Sequence, residues 1–138
     1  MSEPVNVGIV GCGNISAAYL QSEKIFGRYI RIAACADMFI DRARARAAES
    51  AEKGWCKPRA CTVAELLADP SIEIVINLTI PKAHFKVAMK ALEAGKHVHN
   101  EKPLTLTMRE AKKLLDTARE RNLRVGCAPD TVLGAGTQ

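Results

Sequence analysis

Val5-Asn6-Val7-Gly8-Ile9-Val10-Gly11-Cys12-Gly13-Asn14-Ile15-Ser16 is the stretch that decides the fold. Its first six residues form an almost continuous apolar run, the pattern of a strand covered on both faces. The run leads directly into a glycine-rich bend and then an amphipathic segment. In a strand–loop–helix unit of this kind each loop position has a physical job. Gly11 permits a tight turn, and Gly13, lacking a Cβ, lets the backbone approach a diphosphate closely. Free N–H groups at the helix start favour phosphate oxygens, aided by the helix dipole. The third position must be small for helix and strand to pack; Ser16 is small, though not the usual Gly or Ala. On its own the pattern is weak evidence, because tight strand-to-helix turns also use glycine for structural reasons.

Outward from this unit, short β-branched runs alternate with longer helical patterns, the signature of stacked βαβ units on a parallel sheet. A second strand is expected over Arg31–Ala36, followed by a helix with Ile40, Ala43, Ala47 and Ala51 on its apolar side. Thr62 and Glu65 form a capping box before a short helix that stops near Asp69-Pro70. Ile72 to Leu78 reads as a strand, about Lys82 to Ala94 as a helix with Gly95 as its stop, and His97 to Glu101 as a further strand. Thr107 and Glu110 form a second capping box, Asn122 ends the helix that follows, and Leu123 to Cys127 reads as the last strand. No repeat or linker divides the chain. The expected fold is α/β, a doubly wound parallel sheet of Rossmann type in a single domain.

Context strengthens the loop reading. Asp37 lies just past the second strand, where an acid accepts hydrogen bonds from the adenosine ribose hydroxyls of a dinucleotide. An Asp that merely begins a turn is a common alternative, but strand, glycine loop, helix, strand and acid occur here in the required order. A carboxylate at this place repels a 2′-phosphate, which favours NAD over NADP. Arg42 and Arg44 soften that preference, although such arginines are more often a solvated helix face. Two further sites fall at carboxyl ends of strands, where open α/β sheets bind ligands. Thr79-Ile80-Pro81 leads into a helix with His84 in its first turn; residue types alone fit equally a rigid, partly apolar turn packing against the adenine or nicotinamide side and a plain Pro at helix entry beside a surface His. Glu101-Lys102-Pro103 ends the next strand. Its lysine is placed to donate to a substrate hydroxyl and tune a proton transfer, against the commoner case of an exposed strand-end lysine.

Composition removes other classes. The 138 residues are 48% hydrophobic and 25% charged, which excludes a disordered or fibrous chain. The net charge is +5, but the basic residues are scattered among acids and only 4% of residues are aromatic, so no nucleic-acid partner is expected. The five cysteines (Cys12, Cys35, Cys56, Cys61, Cys127) make no Cys-x-x-Cys pair and read as reduced thiols. His97 and His99 share a strand face, yet nothing completes a ligand set, so no metal is expected. No apolar run is long enough for a membrane span and no secretory segment opens the chain. A soluble, cytoplasmic protein is expected, with no membrane partner.

Taken together, the GCGNIS loop, Asp37, Asn77-Leu78-Thr79-Ile80-Pro81 with His84, and Ala94-Gly95-Lys96-His97-Val98 continuing to Glu101-Lys102-Pro103-Leu104 resemble one family. It is the glucose–fructose oxidoreductase, inositol dehydrogenase and rhizopine-catabolism group (Gfo/Idh/MocA). The resemblance runs from Val5 to about Gly136 and is most specific in the AGKHV-to-EKP segment. It implies a nicotinamide-dependent oxidoreductase acting on a secondary alcohol of a sugar, cyclitol or related polyol. It implies that Gly11, Gly13, Asn14 and Ile15 hold the diphosphate and Asp37 the adenosine ribose. Thr79, Pro81 and His84 then line the cofactor groove, Glu101 sits near the nicotinamide ribose, and Lys102 approaches both nicotinamide and substrate as the catalytic residue. A cis peptide before Pro103 is also implied.

The family carries a second, larger α/β domain that supplies the substrate pocket and an Asp-x-x-x-His pair, and no such pair occurs here. The chain is therefore expected to be the cofactor-binding part of a longer enzyme. Residues 1–128 would form the NAD(P)-binding domain, and residues 129–138 a tail leading to the second domain. Cofactor binding without unaided turnover is expected, with self-association through apolar surface that the second domain would cover. Two other readings stand beside this one. The first is a non-catalytic dinucleotide-binding module or a subunit completed by another chain. The second is a methyltransferase using S-adenosylmethionine, for which Glu101-Lys102-Pro103 has no use.

Overall fold

A computed structural model describes residues 2–128; the expected tail at 129–138 lies outside the described residues. The elements in order are β1 (Val5–Val10), α1 (Ser16–Phe26), β2 (Ile30–Ala36), α2 (Ile40–Glu52), β3 (Arg59–Cys61), α3 (Val63–Ala68), β4 (Ile74–Asn77), α4 (Pro81–Glu93), β5 (His97–Asn100), α5 (Met108–Glu120) and β6 (Val125–Cys127). All six strands are parallel, in the order β3-β2-β1-β4-β5-β6. The chain winds outward from β1 to β3, then returns to the other side of β1 and winds outward again. The reversal between β1 and β4 opens a crevice at their carboxyl ends.

Alternation along the buried strands sends side chains to two cores. On one face Ile9, Ile32 and Cys35 pack with Leu20 of α1 and Ala43 of α2. On the other, Val10, Ala34, Ala36 and Val75 pack with Leu66 of α3, Leu92 of α4 and Leu114 of α5. This two-sided cover is why the strands read as apolar runs rather than as alternating ones.

The structure departs from the sequence reading in small ways. β3 is a strand of three residues at the sheet edge, formed by pairing with Ala34–Ala36 of β2, and it is too short to show a period. β4 is shorter than the apolar run Ile72–Leu78, because the Ile72 amide turns back to the Asp69 carbonyl (3.3 Å). The Thr62/Glu65 capping box is complete. At α5 the Thr107 hydroxyl accepts from the Glu110 amide (3.2 Å), but the Glu110 carboxylate accepts from Leu106 (3.2 Å), one residue early. Gly95 and Asn122 end α4 and α5 as expected, with φ of 78° and 55°.

Lys96 has a structural task. It is buried, and its amine donates to the carbonyls of Asp69 (2.6 Å) and Ile72 (2.8 Å), tying the turn before β4 to the start of β5. Burial lowers its pKa, and the Asp69 charge opposes that shift. The AGKHV-to-EKP segment thus serves both ends of β5: Lys96 braces the amino end, while Glu101 and Lys102 follow the carboxyl end. All five cysteines are free thiols. Among the described residues no helix is long and apolar enough to cross a membrane.

Candidate functional site

The glycine loop, Asp37, the Thr79–Pro81 turn and the Glu101–Pro103 turn all follow carboxyl ends of strands and meet around the crevice. Gly11 has φ 104° and donates its amide to Ala36 of β2 (2.8 Å). A Cβ there would stand 2.7 Å from the Leu78 carbonyl carbon and oxygen and 2.9 Å from the Thr79 nitrogen, so only glycine lets the loop press against the β4–α4 turn. Gly13 differs: a Cβ on it would meet nothing within 4 Å, and Gly13, Asn14 and Ile15 are exposed. The Ser16 side chain is fully buried and its hydroxyl donates to the Gly13 carbonyl (2.6 Å), which explains a small residue at this position. No side chain caps α1 at Ile15; the amides of Ser16, Ala17 and Ala18 donate instead to the carbonyls of Gly13 (3.2 Å), Asn14 (3.4 Å) and Ile15 (3.1 Å).

Asp37 is buried, and its carboxylate is turned toward the glycine loop. One oxygen accepts from the Cys12 amide (2.9 Å) and the other from the Phe39 amide (3.0 Å). These two bonds fix the acid against the loop, and a carboxylate keeps further lone pairs for a ligand hydroxyl. Beside it, Cys12, Gly13, Asn14, Arg42, Ala45, Arg46 and Glu49 line an open groove of about 470 Å³. Arg42 lies over the Phe39 ring (5.0 Å) and Arg44 pairs with Asp41 (3.2 Å) at the surface. The arginine that reaches the loop is Arg46, which donates to the Gly13 carbonyl (3.2 Å) and pairs with Glu49 (2.6 Å). The Cys12 thiol donates to the Ala36 carbonyl (3.5 Å) and the Cys35 thiol to the Ala43 carbonyl (3.6 Å).

On the β4 side, Asn77 is fully buried and organises the turn. Its carbonyl oxygen accepts from the Thr79 hydroxyl (2.6 Å) and amide (3.3 Å), and its amide nitrogen donates to the His84 carbonyl (3.0 Å). His84 is not the surface residue its helix position suggests. Its ring is buried, with Nδ1 at 2.6 Å from the Pro103 carbonyl and Nε2 at 2.8 Å from the Thr79 carbonyl. The imidazole therefore ties the Thr79 turn to the loop after β5. Pro81 opens α4 and is exposed. The Lys102–Pro103 peptide is cis, as the resemblance implied, and Lys102 and Pro103 are exposed at the sheet rim. The Glu101 carboxylate accepts from the Tyr19 hydroxyl (2.6 Å) and from the Lys102 amide (3.1 Å).

Asn77, Tyr19 and Arg46 are the site residues that sequence reasoning passed over. Asn77 had a signal, a polar side chain inside an apolar strand; Tyr19 and Arg46 had none, because Glu101 and the Gly13 carbonyl, which draw them to the site, are distant in sequence. His97 accepts from the Arg124 amide (3.0 Å). Among the described residues no group of three or more His, Cys, Asp or Glu side chains could hold a metal ion.

A doubly wound sheet with a glycine bend, an uncapped helix start and an anchored acid at its switch point defines a dinucleotide-binding Rossmann domain. The Gfo/Idh/MocA family, described as an oxidoreductase family with an NAD-binding Rossmann fold, matches residues 5–128, and the chain belongs to it. The family is NAD(P)-binding. UDP-N-acetylglucosamine 3-dehydrogenase of Acidithiobacillus ferrooxidans is 34% identical over 119 residues, 86% of this chain and 35% of that enzyme. KijD10, a 3-ketoreductase from Actinomadura kijaniata solved with NADP, superposes with a TM-score of 0.73 at 29% identity, covering 90% of this chain and 38% of that one. The WlbA dehydrogenase of Bordetella pertussis, solved with NADH and UDP-GlcNAcA, shares the fold at a TM-score of 0.86 and 21% identity, covering 99% of this chain and 40% of that one. The chain spans no more than two fifths of any of these proteins.

Proposed function

We propose that this chain holds NAD across the β1/β4 crevice, as the cofactor-binding part of an oxidoreductase acting on a sugar, cyclitol or related polyol. The observation that carries the reading is Asp37, fixed between the Cys12 and Phe39 amides beside the open Gly13 (2.9 and 3.0 Å). That placement puts an acceptor for ribose hydroxyls against a loop whose free side is empty. Gly13, Asn14 and Ile15 hold the diphosphate through main-chain amides, while Gly11, whose own amide is taken by Ala36, shapes the bend that presents them. Asp37 holds the adenosine ribose and disfavours a 2′-phosphate, so NAD is preferred to NADP.

Thr79 and Pro81 line the groove beside β4. His84, with its ring closed off by two carbonyls, contributes by holding the loops rather than by touching the cofactor. Glu101 stands near the nicotinamide ribose. Bound NAD supplies the hydride acceptor for oxidation of an alcohol carbon. Lys102, exposed at the rim, donates to the substrate hydroxyl and eases its deprotonation. Relatives named for sugar-derived substrates support the polyol class.

Calorimetric titration with NAD, NADP and S-adenosylmethionine tests the reading. NAD binding tighter than NADP is expected, with Asp37→Ser narrowing or reversing the ratio. Binding of S-adenosylmethionine alone, or of none of the three, would overturn it. With a panel of polyols and NAD, the chain by itself is expected to give no sustained NADH.

A further inference from the structure

Strand order places β4 between β1 and β5, yet one side-chain hydrogen bond crosses that interval. The Tyr19 hydroxyl, in the first turn of α1, donates to one oxygen of Glu101 beyond β5 (2.6 Å), and the other oxygen accepts from the Lys102 amide (3.1 Å). Both ends of the carboxylate are therefore held. One holder is the helix that begins at the glycine loop, and the other is the turn that carries Lys102. The Tyr19 ring packs against the core around Ile9 and Leu20, so the hydroxyl is delivered from a fixed base. Burial, then the hydrogen bond to Glu101 and the carboxylate's charge, raise the phenol's pKa well above the ordinary tyrosine range.

We propose that Tyr19 is a positioning residue for the nicotinamide half of the cofactor: its hydroxyl fixes the Glu101 carboxylate, and with it the Glu101-Lys102-Pro103 turn, relative to the glycine loop. The inference rests on the cofactor reading above. A glutamate at a sheet rim samples several rotamers, and ordering it at the moment of binding weakens affinity. Here the ordering is already done by the helix on which the diphosphate seats. The two halves of the dinucleotide thus meet a crevice whose walls are joined before either arrives.

Tyr19→Phe keeps the ring and removes the hydroxyl. Calorimetry with NAD and with ADP, which lacks the second ribose and the nicotinamide, reads the effect in wild type, Tyr19→Phe, Glu101→Ala and the double variant. Tyr19→Phe is expected to weaken NAD about tenfold and to change ADP by less than about twofold. In the Glu101→Ala background it is expected to do nothing further. Equal losses for NAD and ADP, an unchanged NAD affinity, or the same tenfold loss without Glu101 would each overturn the proposal. Wild type binding neither ligand would overturn the cofactor reading itself and this proposal with it. A second measurement follows phenolate absorbance against pH in a Tyr29→Phe background. Glu101→Ala is expected to bring Tyr19 ionisation to lower pH, and no movement would overturn the proposed hold on Glu101 whatever the ligands do.

Discussion

Alanine at Gly11 and at Gly13, made separately, should separate stability from binding within a single loop. Gly11 sits at φ 104°, where a Cβ would lie 2.7 Å from the Leu78 carbonyl and 2.9 Å from the Thr79 nitrogen. All of those atoms are backbone, so no side chain can rotate out of the way. The strained φ costs about 1–3 kcal/mol, and forcing the packed turn apart costs about 1–3 kcal/mol more. A loss near 4 kcal/mol, out of a total of roughly 5–15 kcal/mol, should lower the melting temperature on the order of 10 °C. At Gly13 a Cβ meets nothing within 4 Å. Stability should stay within about 0.5 kcal/mol of wild type. The added methyl enters the space proposed for the diphosphate, so NAD affinity should fall about tenfold. Thermal and urea unfolding followed by circular dichroism, beside calorimetry with NAD, measure both effects. Gly11→Ala melting with wild type, or Gly13→Ala losing as much stability as Gly11→Ala, would refute the steric argument. Unimpaired NAD binding by Gly13→Ala would detach the loop from the cofactor.

Three other outcomes follow from the same structure. Lys96→Met should cost about 1–3 kcal/mol of stability, because the buried carbonyls of Asp69 and Ile72 lose their donor, and should leave NAD affinity unchanged; urea unfolding and calorimetry check both. His84→Phe should also destabilise by about 1–3 kcal/mol, through the freed Pro103 and Thr79 carbonyls, but should weaken NAD as well, because the loops it joins border the crevice. Asp69, Glu65, Glu49 and Asp116 are held below the usual carboxylate range, chiefly by Ser71, the Thr62 amide, Lys53 and Lys112 respectively. Their folded values lie below their unfolded ones, so this stability is present above about pH 4 and is lost as pH falls through the folded values. Melting temperature should therefore be level from neutral pH to about pH 5 and drop below that, and Glu65→Gln should make the drop shallower. A flat profile into strong acid would contradict the assignment.

The strand–glycine–helix unit was legible because its signals are local. Burial on both faces writes an unbroken apolar run, and a tight bend writes glycine. The Thr62/Glu65 box was readable for the same reason, since both partners lie within one helical turn. β3 was not, because three edge residues carry no period and become a strand only by pairing with β2. The Glu110 carboxylate turned to Leu106 rather than Thr107, a choice that sequence spacing alone cannot make. His84 shows the limit most clearly. Its position in the first turn of α4 suggested a surface or groove-lining ring, but the loop after β5 folds over it and buries both nitrogens against carbonyls.

By itself the amino-acid order determined the kind of fold, the place of the glycine bend and the candidate acid, all of which depend on neighbours a few residues apart. Only the tertiary structure decided that Asp37 turns toward the Cys12 amide, that Arg46 rather than Arg42 or Arg44 reaches the loop, and that Tyr19 holds Glu101. Each of these is a contact between elements far apart in the chain. Such contacts are set by strand order and helix placement, which bring together residues whose separation along the sequence carries no periodic trace.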